Sequence, residues 1–325
     1  MARLVTTEHR IPAARPGITL YARNKRPADL ARFTPARTVL FVHGATYPAE
    51  TAFDLRLGGT SWMEHIAARG FDVWLMDVRG YGASTRPPEM DAPADANPPF
   101  ATTAEAREDV AAVLAHIFRL RGISRACLLG WSWGCAIMGS YAALHPEQVE
   151  KLTLFAPGWL RNAPSPTDQG GPLGAWRAVT REQARARWLA GVPADKEANL
   201  IPAGWFDAWA DATFATDPAG AALSPPVLRA PNGTVRDSRE FWAAGRPLYD
   251  PAAITAPTFL IVGEWDRDTP PAMAQEIFAR LTNAPRKTLV LLGEATHTAL
   301  MERNRHTLFA QVQAFLEESD APGAV

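Results

Sequence analysis

Cysteine is scarce, long apolar runs are missing and neither sign of charge is in excess; each of these absences excludes something. Two cysteines in 325 residues, Cys127 and Cys135, cannot build a disulfide framework. Purely aliphatic or aromatic runs reach about four residues, as at 39–42, 259–262 and 289–292. A membrane-crossing helix needs about 20, so no membrane association is expected. The opening MARLVTTEHR lacks the apolar stretch of a secretory signal, and a cytoplasmic location is expected. Lys plus Arg number 33 against 34 Asp plus Glu, a net charge of −1. Without a basic excess, no nucleic-acid partner is expected. No His, Cys and acid residues cluster at ligand spacing, so no metal is expected. Gly80 and Gly82 are too few for a dinucleotide loop, so no cofactor is expected either. A composition of 47% hydrophobic and 21% charged residues excludes wholesale disorder. The chain length suits one large domain or two, as a monomer or a homodimer.

The sequence does contain alternation. Residues 3–11 and 18–24 read as a strand pair turning at Pro16-Gly17. Residues 38–42 and 73–77 read as buried strands, with a short helix at 61–69 between them. The clearest helix spans 102–121. Thr102 and Glu105 have capping-box spacing, and Val110, Val113, Leu114 and Ile117 form one apolar stripe. A strand at 125–129, a helix at 134–145 and a strand at 151–155 follow. From 157 to 247 prolines and glycines interrupt short helical pieces. Six of the eleven tryptophans fall there: Trp159, Trp176, Trp188, Trp205, Trp209 and Trp242. Strands at 258–262 and 287–292 and helices at 271–281 and 304–317 then resume the rhythm. Such alternation predicts an α/β fold with a mostly parallel sheet covered on both faces. Residues 157–247 read as an insertion.

Chemistry is expected at Ser132. Residues 130–134 read GWSWG, between an apolar strand and a helix, the context in which a G-x-S-x-G element places a nucleophile. A sharp strand-to-helix turn strains the central residue and lifts its hydroxyl above the sheet. Serine alone is a poor nucleophile and needs a base oriented by an acid. Two later strands end in GEWDRDTP and GEATHTAL, which place polar residues at strand C-terminal ends, where open α/β sheets bind ligands. His297 is the candidate base. Glu264, Asp266 and Asp268 are the candidate acids, with spacing favouring Asp266 and Asp268 next. The strand ending in FAPGW offers no acid. Cys127 and Cys135 read as buried fillers.

Four elements together make the sequence resemble the α/β-hydrolase fold family over roughly residues 18–318: FVHGA (41–45), DVRGYGAST (77–85), the GWSWG element, and the pair GEWD and ATH. The resemblance implies an eight-stranded, mostly parallel sheet with helices on both faces. It divides the chain into a core, 1–156 and 248–325, and a cap insertion, 157–247. It makes Ser132 the nucleophile, His297 the base and Asp266 the acid. It assigns the oxyanion-holding amides to Ala45 and Trp133. His43, in the oxyanion loop, is expected to shape the turn. The substrate pocket is expected to draw on His43, Trp131, Trp159 and Trp265. Serine at the elbow excludes relatives that use aspartate there, the haloalkane dehalogenases and epoxide hydrolases. The expected activity is that of a carboxylesterase on a small or medium-sized, aromatic or aliphatic ester. Elbow and spacing are similar to those of bacterial monoalkyl phthalate ester hydrolases, although no residue is identifiable as a reader of a phthalate carboxylate. The alternatives are a carbon–carbon bond hydrolase of the meta-cleavage-product type and a ligand-binding receptor on a hydrolase fold.

Overall fold

The short apolar runs at 39–42 and 259–262 lie inside a sheet with both of their faces covered, whereas the run at 289–292 forms an edge strand. The computed structural model describes residues 3–318; the outermost residues of the expected core, 1–2 and 319–325, lie outside it. Its strands are β1 (Leu4–Pro12), β2 (Thr19–Pro27), β3 (Thr38–Val42), β4 (Asp72–Asp77), β5 (Ala126–Trp131), β6 (Val149–Phe155), β7 (Trp176–Val179), β8 (Leu228–Pro231), β9 (Thr258–Gly263) and β10 (Lys287–Leu292). Eight form one sheet in the order β1-β2-β4-β3-β5-β6-β9-β10. β2 runs antiparallel to β1 and β4, and every later neighbour pairs in parallel. Every residue of β3, β4, β5 and β9 is buried, which is why these strands show no polar alternation. Within β3, Leu40 and Val42 enter one core and Val39 and Phe41 the other.

The helices are α1 (Trp62–Ala67), α2 (Thr103–Arg121), α3 (Trp133–Leu144), α4 (Arg181–Trp188), α5 (Glu197–Leu200), α6 (Trp205–Phe214), α7 (Pro218–Ala221), α8 (Gly233–Asp237), α9 (Pro271–Arg280) and α10 (Arg305–Glu317). Buried residues of α2, α3 and α9 line one face of the sheet, and those of α1 and α10 the other. Thr102 and Glu105 form the expected capping box, and Gly122 closes α2 at φ 65°. Among the described residues, no helix is long and apolar enough to cross a membrane.

The DVRGYGAST segment is spent on holding loops together. The Asp77 carboxylate accepts hydrogen bonds from the N–H of Ala49 (2.8 Å) and Ala83 (2.9 Å). A Cβ on Gly82 would lie 2.1 Å from that carboxylate. Buried Arg79 pairs with buried Asp109 of α2 at 2.6 Å. The Ser84 hydroxyl donates to the Asp77 carbonyl at 2.6 Å and accepts from the Tyr21 N–H at 2.8 Å.

Between β6 and β9 lie α4 to α8 and an antiparallel pair, β7 with β8. The sequence reading lacked this pair. Its strands are four residues each, and one ends in proline, so neither offers a readable period. The tryptophans here do not form a core of their own. Trp188 and Trp209 join the core of α1 and α10, whereas Trp159 and Trp242 join the opposite one.

A buried lysine fastens the last helix. Lys151 of β6 donates from Nζ to the carbonyls of Phe315 (3.0 Å), Leu316 (2.9 Å) and Glu318 (2.5 Å). These belong to the helix end that has no intrahelical donors. Lys151→Met keeps the stem but strands the carbonyls, at a cost of about 1–3 kcal/mol. In urea unfolding the midpoint should fall with the slope unchanged; an unaltered midpoint would refute this role.

Candidate active site

Ser132 sits where β5 turns into α3, with φ 57° and ψ −119°. A non-glycine residue takes this conformation only when its surroundings compel it. The compulsion comes from close packing. A Cβ on Gly130 would lie 2.3 Å from the Gly134 carbonyl oxygen, and one on Gly134 would lie 2.3 Å from that of Val42. Both positions therefore need glycine. The Ser132 N–H donates to the Phe155 carbonyl at 2.9 Å, anchoring the strained residue to the end of β6.

Two loops bring partners to the hydroxyl. His297 Nε2 lies 2.8 Å from Ser132 Oγ, and its Nδ1 lies 2.9 Å from Asp266 Oδ2. With a proton on Nδ1 donated to Asp266, Nε2 is free to accept the serine proton. Asp266 is itself held: Oδ1 accepts from the Thr269 N–H (2.8 Å), and the Thr269 hydroxyl lies 2.9 Å from Oδ2. Burial opposes a charge on His297, but Asp266 and Asp268 outweigh it and raise its pKa. The imidazolium formed on proton transfer is thereby favoured.

The three acids of GEWDRD divide by position. Asp266 faces Nδ1. Asp268 lies on the other side, with Oδ2 3.7 Å from His297 Nε2. Burial would raise the Asp268 pKa, but Arg187, at 2.5 Å, together with His297 and Arg161, holds it below the usual carboxylate range. Glu264 turns away and accepts from the Glu294 N–H at 3.0 Å.

The loop after β3 presses against Ser132; a Cβ on Gly44 would lie 3.1 Å from Ser132 Cβ. His43 is buried behind this loop and lines neither cavity described below, contrary to its expected place in the pocket wall. Its Nδ1 bonds the Gly44 carbonyl at 2.7 Å, while Nε2 accepts from the Val78 N–H at 3.1 Å. Burial keeps the ring neutral by lowering its pKa. The Gly44 carbonyl belongs to the same trans peptide as the Ala45 N–H, so His43 fixes that amide's direction. The Ala45 carbonyl is held in turn by Tyr81 Oη (2.8 Å) and Arg177 Nη2 (2.7 Å). Ala45 and Trp133 line a common cavity with Ser132.

Two cavities flank the serine. The first is walled by Tyr47, Trp131, Trp188 and Trp209 and includes His297. The second is walled by Trp133, Trp159 and Trp242 and includes Arg161. Trp131 and Trp159 thus occupy pocket walls. Trp265 does not: it is half-buried, lines neither cavity, and its carbonyl faces Gly191 of the insertion. Among the described residues, no group of three or more His, Cys, Asp or Glu is placed to hold a metal ion.

Several supporting residues escaped the sequence reading. Thr269 follows Asp266 by three positions, a turn spacing that gave a weak signal. Glu302 accepts from the Thr296 N–H (3.1 Å) and Trp188 Nε1 (3.1 Å), tying the His297 loop to α4. Burial raises its pKa to about 7. Arg161, Arg177 and Arg187 lie in the insertion, with no motif around them.

The sequence matches the α/β hydrolase fold family over residues 37–304. With most of the chain matched and the eight-stranded sheet in place, the protein belongs to that family. No curated protein matches the sequence. Three similar solved structures are hydrolases. A 2-hydroxy-6-oxo-6-phenylhexa-2,4-dienoate hydrolase from Rhodococcus sp. strain RHA1 is 18% identical, with a TM-score of 0.59, covering 96% of this chain and 99% of the other. A thermophilic esterase from Thermogutta terrifontis is 19% identical, with a TM-score of 0.55 and coverages of 95% and 98%. A meta-cleavage product hydrolase from Pseudomonas fluorescens IP01 is 14% identical, with a TM-score of 0.62 and coverages of 94% and 96%. At these identities the likeness is one of fold.

A fluorophosphonate probe tests the serine directly. Wild-type protein should be labelled and folded Ser132→Ala should not. Since Nε2 must be unprotonated to take the serine proton, labelling should fail as pH falls through a midpoint above the ordinary histidine value of about 6.5. Asp266→Asn should slow labelling far more than Asp268→Asn. Persistent label on Ser132→Ala, or the reverse ranking of the two aspartates, would dismiss these roles.

Proposed function

We propose that the protein is a serine carboxylesterase that works through an acyl-enzyme on small or medium-sized esters, aromatic ones included. The observation that carries this reading is the unbroken relay from Ser132 Oγ to His297 Nε2 at 2.8 Å and from His297 Nδ1 to Asp266 at 2.9 Å, opening between two aromatic-walled cavities.

In this reading Oγ attacks the ester carbonyl carbon as His297 takes its proton. Asp266 stays ionised and stabilises the imidazolium. The amides of Ala45 and Trp133 receive the oxyanion; one such donor is worth about 2.7–4 kcal/mol in other hydrolases. His297 returns the proton to the alkoxide as the C–O bond breaks. It then deprotonates a water that attacks the acyl-serine, and the acid is released with Ser132 restored. His297 lines only the first cavity. The leaving alcohol, which needs its proton, therefore belongs there, and the acyl group in the second.

Both cavities are bounded by packed side chains, which sets a size limit. Each buried CH₂ contributes about 0.8 kcal/mol while space lasts, after which extra atoms strain the walls. For esters with acyl chains of two to sixteen carbons, kcat/KM should rise to short or medium length and then fall steeply, and benzoate-type esters should be cleaved with multiple turnovers. Best activity at sixteen carbons with interfacial activation would overturn the enclosed-pocket reading. Turnover of a vinylogous diketo acid with none of any ester would replace ester hydrolysis by carbon–carbon cleavage.

A further inference from the structure

Two carboxylates stand beside His297, and the relay to Ser132 uses one of them. Asp266 is fully engaged: Oδ1 accepts from the Thr269 N–H, and Oδ2 lies 2.9 Å from both the Thr269 hydroxyl and His297 Nδ1. Asp268 stands on the opposite side of the ring, with Oδ2 3.7 Å from Nε2. That distance is too long for a hydrogen bond and short enough for one water bonded to both groups. Asp268 is buried, and Arg187 pairs with its Oδ2, from Nε at 2.6 Å and from Nη2 at 2.5 Å. Among the described residues, no hydrogen bond is donated to Oδ1. The backbone is held as well, since the Asp268 carbonyl accepts from Arg161 Nη2 at 2.7 Å.

The surroundings give this carboxylate access to water. A groove lined by Gln183, Ala190 and exposed Arg267 adjoins the two cavities. Among the described residues, Asp268 and Arg187 are the two that line both cavities and the groove. Burial alone would favour the protonated acid, but Arg187, with His297 and Arg161, keeps Asp268 ionised. It can therefore accept hydrogen bonds and donates none. Water that replaces a departed alcohol in the first cavity shares that space with His297 and Asp268.

We propose that Asp268 positions the water that hydrolyses the acyl-enzyme. This rests on the ester-hydrolase reading and deepens it. Water has two O–H bonds. One points at His297 Nε2, which takes the proton; the other is held by the Asp268 carboxylate, so that an oxygen lone pair faces the acyl carbon. The new C–O bond forms as the proton moves to Nε2. The bond from the acyl carbon to Ser132 Oγ then breaks, and Oγ recovers that proton from Nε2. Asp268 stays ionised throughout and takes no proton. Arg187 is a positioning residue: it fixes the Oδ2 side and balances a charge that would otherwise oppose the oxyanion. Acylation has no need of the second carboxylate, because the serine hydroxyl carries one proton and Nε2 already meets Oγ at 2.8 Å.

The test follows p-nitrophenyl acetate by stopped flow, with methanol as a competing acceptor. Methanol has one O–H bond and needs no second carboxylate. In Asp268→Asn, kcat should fall about tenfold, the scale of one hydrogen bond to a charged group. A burst of p-nitrophenol should persist and KM should fall with kcat, leaving kcat/KM, which reports acylation, within about threefold of wild type. The ratio of methyl acetate to acetate should rise about tenfold. Fluorophosphonate labelling of Ser132 verifies a folded site. If the variant does not fold with Arg187 unpaired, the double variant Asp268→Asn, Arg187→Gln removes both charges and should show the same split. A kcat/KM that falls as far as kcat, or an unchanged product ratio, would overturn the water-positioning role and leave ester hydrolysis standing. No p-nitrophenol from wild type, with no other ester cleaved, would remove the reading beneath it.

Discussion

The close approach of α3 to the ends of β3 and β5 is the constraint on which the rest depends. Gly134 meets the Val42 carbonyl and Gly130 meets Gly134, with room for no Cβ at either position. A helix packed this tightly cannot be joined to β5 by a relaxed turn. The strain falls on Ser132, whose positive φ puts its side chain at the C-terminal ends of the strands. The same contact sets the distance between Ser132 and the loop after β3, and hence the place of the Ala45 amide. Backbone geometry, fixed by two glycines and a parallel sheet, thus precedes every side-chain interaction in the site.

One part of that constraint is local and could be read from the sequence, whereas the contact of Gly134 with Val42 comes from a distant strand. The strain, the glycines and the flanking apolar strand all lie within about ten residues. Bounds of β3 and β10 agree with the runs 38–42 and 287–292; β3 is wholly buried and ends where its apolar residues do, whereas β10 is an edge strand with only Leu292 buried. The capping box of α2 was equally legible. The acid was less so: GEWDRD offers three carboxyls within five positions, and only the folded loop shows which faces Nδ1. His43 was expected to shape its turn and to stand in the pocket wall; it is buried behind the loop and lines neither cavity, and burial behind a loop leaves no trace in composition. Trp265 misled through adjacency. It follows Glu264 and precedes Asp266 in the chain, yet it lines neither cavity.

The insertion was the least legible part, for a physical reason. Its short elements are stabilised by tertiary contacts and not by their own periodicity. The strands of β7 and β8 exist because they pair with each other, and Trp188 and Trp209 are ordered by joining the core of α1 and α10. Arginines in such a segment read as surface charge. Only the fold shows that Arg177 is buried against the Ala45 carbonyl and that Arg187 meets Asp268.

Those contacts change how the insertion is understood. A lid that merely covered the site would need apolar area and little else. Here the insertion reaches the candidate site through polar bonds at three points: Arg177 on the loop after β3, Arg187 on Asp268 beside the imidazole, and Trp188 on Glu302, which holds the His297 loop. Each bond runs from the insertion to a loop that follows a different strand of the core. The segment that walls the two cavities therefore also holds three loops of the core around Ser132 and His297.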